Sequence, residues 1–393
     1  MSCISRINPS QKVLILSLSF ISRDPRVMRQ VRLLERRVQL SVAGYGAPPD
    51  ANVKFIRIEP TSTSPLAKVL QEARLMGARS EEFYWRRPDI QGGLQALNGQ
   101  RYDLIIVNDI VALPLGLRVA RESPVLVDAH EYSPQESDDK LVWRLTYGRH
   151  YHFLCQHYLS QAAAMTTVCL GIAEEYKRNY GVTATVIENA PSRQNLGPSN
   201  VEAHRIRMIH HGGALRSRRL ELMIDLMEQL DPRFSLDFML VGDDKQYLRA
   251  LRERASKDPR IRFLPPVPMP DICRATNCYD IGLYLLPPAN LNNRFALPNK
   301  LFEFIQARLA VAIGPSPEMA RVVQEYGVGV VAKSFDLSDI AMALNCLTEQ
   351  DLVRYKRASD AAAEKLCFEK AAERLLMIID RLLPSSTPNS MFA

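Results

Sequence analysis

Read from its N-terminus, the chain opens with a run of apolar positions, KVLILSLSF. PRVMRQVRLLERR follows, with apolar residues three and four apart, and then a second apolar run, VQLSVAGYG. Continuous apolar runs of this length predict strands buried on both faces, and the spaced pattern predicts an amphipathic helix between them. The alternation continues with YDLIIVND as a strand, LPLGLRVARES as a helix, PVLVDAHE as a strand and a helical stretch from Lys140 to Ala164. AMTTVCLGIAEEYKRNYG then predicts a short strand and a helix, and TATVIENAPS a strand that ends in a proline turn.

After the polar loop LGPSNVEAHR the pattern restarts. RIRMIHHGG, SLDFMLVGDD, RIRFLPPVP, YDIGLYLLPP, LAVAIGPSP and VGVVAKS are predicted strands, with RRLELMIDLMEQL a helix after the first of them. DLSDIAMALNCLTEQ and EKAAERLLMIIDRLL are predicted closing helices, and the Ser- and Pro-rich tail PSSTPNSMFA is expected to be loose. Strands alternating with helices predict parallel sheets covered on both faces, hence an α/β protein of two doubly wound units. The expected division is residues 1–200, residues 201–370, and a C-terminal helix and tail over 371–393. A length of 393 residues agrees, since single cores stop growing at about 250–300 residues. Open sheets of this kind bind ligands beyond the carboxyl ends of their strands, so the two units are expected to face each other across a cleft.

Composition narrows the partners. A hydrophobic fraction of 47% and a charged fraction of 24% exclude a disordered chain. The formal charge of +7 favours anionic partners, whether nucleotides, phosphates or acidic lipid surfaces. No basic stretch interleaved with aromatics marks a nucleic-acid groove, so nucleic acid is excluded as the expected partner. The seven cysteines lie at positions 3, 155, 169, 273, 278, 346 and 367, and the spacing of Cys273 and Cys278 suits neither a zinc knuckle nor a redox pair. They are expected to be free thiols in a reducing, cytoplasmic compartment. The N-terminal apolar run is too short to span a bilayer and lacks the cationic flank of a signal peptide.

Several stretches carry candidate chemistry. In HHGGALRSRRLE a strand runs into Gly212 and Gly213, then a basic turn, then a helix expected from about Arg218. Glycines let backbone approach a bound phosphate, and arginine offers a charged fork for a diphosphate. A solvated basic turn is the alternative, more so for Arg216 than for Arg218. In ALPNKLFEF, Asn299 and Lys300 open an amphipathic helix and Glu303 follows one turn in. The proline-flanked Val267 in FLPPVPMPDI sits in a rigid loop whose backbone could meet a base edge or simply turn the chain. VLVDAHEYSP sets Asp128, His130 and Glu131 at a strand end, where a neutral imidazole could hydrogen-bond a ligand hydroxyl. Metal binding by that trio is the weaker alternative, because no further His or Cys stands at ligand spacing nearby. Asp24 suits a helix N-cap with Pro25 after it, leaving Arg23, Arg26 and Arg29 to line a cleft or to remain solvated. KLVWRLTYGRHYHFLCQHYLSQA mixes basic and aromatic residues. It is expected to pack as a helix in the first unit, with a membrane surface or a lipid-linked acceptor as the alternative.

Taken in order, SRDPRVMRQVRLL, VDAHEYSP, VIENAP, HHGGALRSRRLELMIDLM, FLPPVP and ALPNKLFEF resemble the retaining glycosyltransferases of family 4, from about Lys12 to about Leu383. The resemblance implies the GT-B fold, two Rossmann-like domains facing across a cleft with a C-terminal helix returning to the first. It implies transfer of a sugar from a nucleotide-diphosphate donor to an acceptor hydroxyl with retention, no separate cofactor and no required metal. Carbohydrate, lipid-linked or small-molecule acceptors are all compatible, as is peripheral contact with the inner face of a membrane.

By the same resemblance Arg218 grips the diphosphate, Glu303 takes the ribose hydroxyls and His130 lies beside the donor sugar. The donor set is then Gly213, Arg216, Arg218, Val267, Asn292, Asn299, Lys300, Leu301 and Glu303, and Arg23, Arg26, Asp128 and Glu131 serve the acceptor or cleft. Two departures stand out. Ala214 replaces the usual earlier basic residue, and Phe295 replaces a glutamate eight positions before Glu303 that contacts the transferred sugar, with Asn292 and Asn293 as polar neighbours. A nucleotide-sugar epimerase and a non-catalytic sugar-nucleotide-binding protein are the alternative functions.

Overall fold

The structure, a computed structural model, describes residues 7–61, 64–77 and 80–383. The tail read as loose lies outside the described residues, as does Cys3. The six described cysteines are free thiols. Chain contacts divide the protein into two units. One takes the residues up to Ile187 and those from Ala372 onward, and the other is Glu188–Ala371.

In the first unit seven strands form one sheet: β1 (Lys12–Phe20), β2 (Gln39–Tyr45), β3 (Lys54–Arg57), β4 (Leu104–Asn108), β5 (Val125–Ala129), β6 (Ala164–Thr167) and β7 (Ala184–Val186). Their order is β3-β2-β1-β4-β5-β6-β7 and every pairing is parallel. The apolar runs seen in the sequence lie at the centre, where Val13 to Leu16 and Leu104 to Val107 are wholly buried. The edge strand β3 escapes the hydrophobic pattern, since only Ile56 of its four residues is buried.

The second unit repeats the plan with six strands: β8 (Ile206–Gly213), β9 (Phe234–Val241), β10 (Ile261–Leu264), β11 (Ile281–Tyr284), β12 (Ala310–Ile313) and β13 (Gly329–Val331). They are all parallel, in the order β10-β9-β8-β11-β12-β13. The expected α/β class with two doubly wound units is therefore what the chain adopts. Each sheet reverses its direction of growth once, between β1 and β4 in the first unit and between β8 and β11 in the second.

The segment after Ile187 belongs with the second unit because its polar backbone is bonded there. Pro191 O accepts from Phe368 N at 2.8 Å, Gln194 N donates to Gln306 at 2.9 Å, and Arg193 is paired with Glu364. The last helix, Phe368–Leu382, runs across the division into the first unit, where Asp380 accepts from Ile7 N at 3.2 Å.

One expected helix is displaced. RRLELMIDLMEQL opens on the last residue of a 3-10 turn over Arg216–Arg218, passes a left-handed residue at Arg219 (φ 49°) and only then forms the helix Glu221–Leu226. Left-handed backbone cannot continue a right-handed helix, so the helix starts three residues later than the periodicity suggests.

The helix Asn299–Gln306 lies against the end of β11 because residue 282 has no side chain. A Cβ built there would sit 2.2 Å from the Phe304 ring. Gly282→Ala should therefore cost about 1–3 kcal/mol, the range for overpacking a filled core. Urea unfolding reads this directly, and an unchanged midpoint would refute the close packing.

Candidate active site

Open parallel sheets bind ligands where the strand order reverses, at the carboxyl ends. In the second unit that place is the junction of β8 and β11. Gly212 adopts φ +112°, and a Cβ on it would meet Cε and Nζ of Lys300 at 3.3 Å. A Cβ on Gly213 would meet a guanidinium nitrogen of Arg218 at 3.2 Å. The two glycines thus admit two cations against the strand end. Arg218, half-buried, is fixed by donating to Gly213 O at 3.1 Å.

Lys300 lies in the first turn of the helix Asn299–Gln306, whose start the sequence pattern located correctly. Its side chain is 6% exposed, the ammonium is 4.3 Å from the centre of the Tyr284 ring, and Nζ has no hydrogen-bond partner. Burial, with Arg218 adding to it and Glu303 only partly opposing it, holds its pKa well below 10.5. Nε2 of His210 and of His211, the last residues before the glycines, are buried and likewise unpartnered. Burial and the neighbouring Lys300 push both histidines below the ordinary range, His211 to about 3, so both are neutral at physiological pH. His211 Nε2 is 3.6 Å from the Glu303 carboxylate. A buried polar nitrogen is almost always bonded, so the unpartnered Lys300 Nζ marks a place suited to acceptor oxygens, whereas His210, whose Nδ1 donates to Leu283 O at 2.9 Å, presents its Nε2 as an acceptor.

The remaining donor candidates divide. Asn299 opens the same helix and is half-buried, as are Val267, in the loop after β10, and Asn292, on the short helix Leu291–Arg294. Leu301 is wholly buried and its N–H bonds Pro298 O at 3.1 Å, so its side chain belongs to the core rather than to a ligand. Arg216 departs from expectation too. It is exposed and paired with Asp244 at 2.8 Å, over the Tyr247 ring. Gly212 was legible in HHGG; the two histidines before it and Tyr284 were not, because their pattern is that of any buried strand.

In the first unit the corresponding strand ends carry a second polar cluster. Asp128, 2% exposed at the end of β5, accepts a two-pronged bond from Arg26 (2.7 and 2.6 Å), and further bonds from Gln30 (2.6 Å) and Thr166 (2.7 Å). Arg26 also donates to Ile187 O at 2.9 Å. The resemblance offered this pair to an acceptor. Instead the charges satisfy each other, because both are buried and a lone charge there would be costly. Arg23 is exposed over the Phe20 ring, and Glu131 is exposed with its carbonyl accepting from Tyr176 at 2.9 Å.

His130 follows that strand. Its Nε2 lies 3.0 Å from Asn108 Oδ1 and 3.7 Å from Asp128, and its Nδ1 lies 3.5 Å from Asp109. Burial opposes the charged ring, but Asp109 and Asp128 outweigh it and raise its pKa to about 8. The expectation of a neutral imidazole is therefore corrected: the ring is an imidazolium at neutral pH. Asp109, which holds His130 N at 2.9 Å, has φ 64° and ψ 156°, a rare backbone for a residue with a side chain and one found at functional sites. Among the described residues no group of three His, Cys, Asp or Glu could hold a metal ion, and no helix is long and apolar enough to cross a membrane.

No family model matches the chain, and no curated protein does. Solved structures do. Anabaena Alr3699/HepE in complex with UDP and glucose is 15% identical with a TM-score of 0.66, over 94% of this chain and 100% of that one. Sucrose-phosphate synthase of Thermosynechococcus elongatus is 14% identical at 0.68, over 95% and 99%. WaaG, a glycosyltransferase of lipopolysaccharide biosynthesis, is 13% identical at 0.63, over 93% and 99%. These likenesses establish the GT-B fold, with two Rossmann-like domains.

Two ionisations test the clusters. The His130 ring should titrate by NMR near pH 8, and Asp109→Asn should move it down. Its folded value is raised above 6.5, so its contribution to stability is complete below pH 6.5 and is lost as pH rises through about 8. A midpoint at 6.5 would refute the arrangement. For Lys300 the folded value lies below 10.5, so the unfolded chain binds the extra proton and stability rises with pH across that window. Lys300→Met, which removes the buried charge, should make the ligand-free protein more stable in urea at pH 7 by on the order of 1 kcal/mol. A loss of stability would overturn the account.

Proposed function

We propose that the chain is a glycosyltransferase that takes a nucleotide-diphosphate sugar and moves the sugar to an acceptor hydroxyl with retention of configuration. The observation that carries this is the Lys300 ammonium, buried beside Arg218 against two glycines with no hydrogen-bond partner. Two cations so close repel each other, and a diphosphate is the ligand whose charge and oxygen count would satisfy both.

Glu303, one turn further along the same helix, suits the ribose hydroxyls, since an ionised carboxylate only accepts. The developing charge of the reaction falls on the leaving diphosphate. Preformed cations there supply the electrostatic stabilisation, and the leaving phosphate itself takes the acceptor's proton. His130, as an imidazolium whose Nδ1 is only loosely held, would donate to a sugar hydroxyl. Phe295, in place of the carboxylate expected by resemblance, leaves that end of the sugar to Asn292 and Asn293. The acceptor would be a carbohydrate, a lipid-linked sugar or a small molecule of glycoconjugate biosynthesis. HepE was solved with UDP and with UDP-glucose, which makes uridine donors the first to try.

The test is a thermal-shift panel of UDP, GDP, ADP and TDP with their sugars. At least one nucleotide should raise the unfolding temperature, since a ligand of the folded state alone stabilises it. Lys300→Met, Arg218→Ala and Glu303→Ala should each weaken that nucleotide about tenfold or more, measured against each variant's own baseline. Failure of every nucleotide, or full affinity in all three variants, would defeat the proposal. Sugar rearranged with donor alone would point to an epimerase, and binding without turnover on any acceptor to a non-catalytic protein.

A further inference from the structure

The stretch from Lys140 to Gln161 was expected to pack as a helix, and only its second half does. In the helix Arg149–Tyr158, His150, Leu154 and Cys155 are buried. The first half, the short helix Leu141–Trp143 and the wide π-turn Arg144–Gly148, turns Leu141, Val142 and Leu145 outward at 60%, 53% and 42% exposure. The helix Pro65–Gly77 packs beside this turn, with Tyr147 donating to Gln71 at 3.0 Å. It too has an outward apolar face, on which Val69, Leu70 and Met76 are 61%, 51% and 66% exposed. Six of the first unit's large exposed apolar side chains thus fall on three adjoining elements.

Cations surround them. Arg74, Lys140, Arg144 and Arg149 are exposed and form no ion pair among the described residues. Over 65–77 and 140–149 the sequence adds Lys68 and only one acid, Glu72, although Asp138 and Asp139 stand just before. Trp143 is half-buried between the apolar and basic positions, as an aromatic at a membrane interface would be.

We propose that this face of the first unit docks on an anionic lipid surface, the leucines, Val69 and Met76 entering the headgroup boundary and the four cations meeting lipid phosphates. Apolar side chains ringed by unpaired cations are what such a surface rewards. A second copy of the chain fits less well, since a two-fold contact would bring identical cations together. The proposal does not depend on the sugar donor, because nucleotide binding belongs to the second unit.

The experiment is co-sedimentation of the full chain with vesicles of phosphatidylcholine alone or mixed with phosphatidylglycerol. The chain should bind the mixed vesicles, and added salt should weaken binding. Leu141→Ser with Leu145→Ser, and separately Arg144→Glu with Arg149→Glu, should each reduce binding about tenfold or more, with unchanged unfolding temperatures. Met342→Ser, an equally exposed site in the second unit, should leave it unchanged. No binding to mixed vesicles, equal binding to both kinds, or a dimer in solution that the leucine variant dissociates would each overturn the proposal.

Discussion

An ammonium removed from water must find an anion or give up its proton, and burial presses that choice on Lys300 in the second unit. Lys300 is enclosed by Gly212, the Tyr284 ring and Arg218. The guanidinium raises the demand for negative charge by repulsion, and the ring answers it with only a weak electrostatic attraction. The glycines serve the same end, because any side chain at residue 212 or 213 would occupy the space the cations need. A protein tolerates so costly a group where a ligand completes it, which is why the functional reading rests on this junction rather than on the fold.

The first unit handles charge in the opposite way. Arg26 and Asp128 neutralise one another below the strand ends, with Gln30 and Thr166 filling the remaining lone pairs. Such a satisfied buried pair adds little net stability but fixes geometry. Its consequence is His130, which sits over that carboxylate and beside Asp109 and keeps its proton to about pH 8. The first network meets its demands within the protein, whereas Lys300 Nζ in the second makes no hydrogen bond to the protein.

Fold class and strand positions were legible because they depend on local apolar patterning, which parallel sheets preserve almost without interruption. What escaped was short or conditional. The strand Lys54–Arg57 has a single buried residue, and the start of the helix at Glu221 was delayed by one left-handed residue, Arg219. For the site, HHGG and PNKLFE were legible as motifs. That Arg216 is paired with Asp244 beside a 3-10 turn was not legible in the sequence spacing.

By itself the sequence determined two doubly wound units and the helix that begins at Asn299, and it drew attention to the chemistry of HHGG and PNKLFE. These follow from periodicity and from residue chemistry, both of which are properties of neighbours along the chain. Only the tertiary structure decided protonation and exposure. Whether His130 is charged, whether Arg26 is free, whether Lys300 has a partner, and whether Leu141 and Val69 face solvent together all depend on what packs from distant segments. Burial and proximity across the fold set those outcomes, and neither is written in any local stretch of residues.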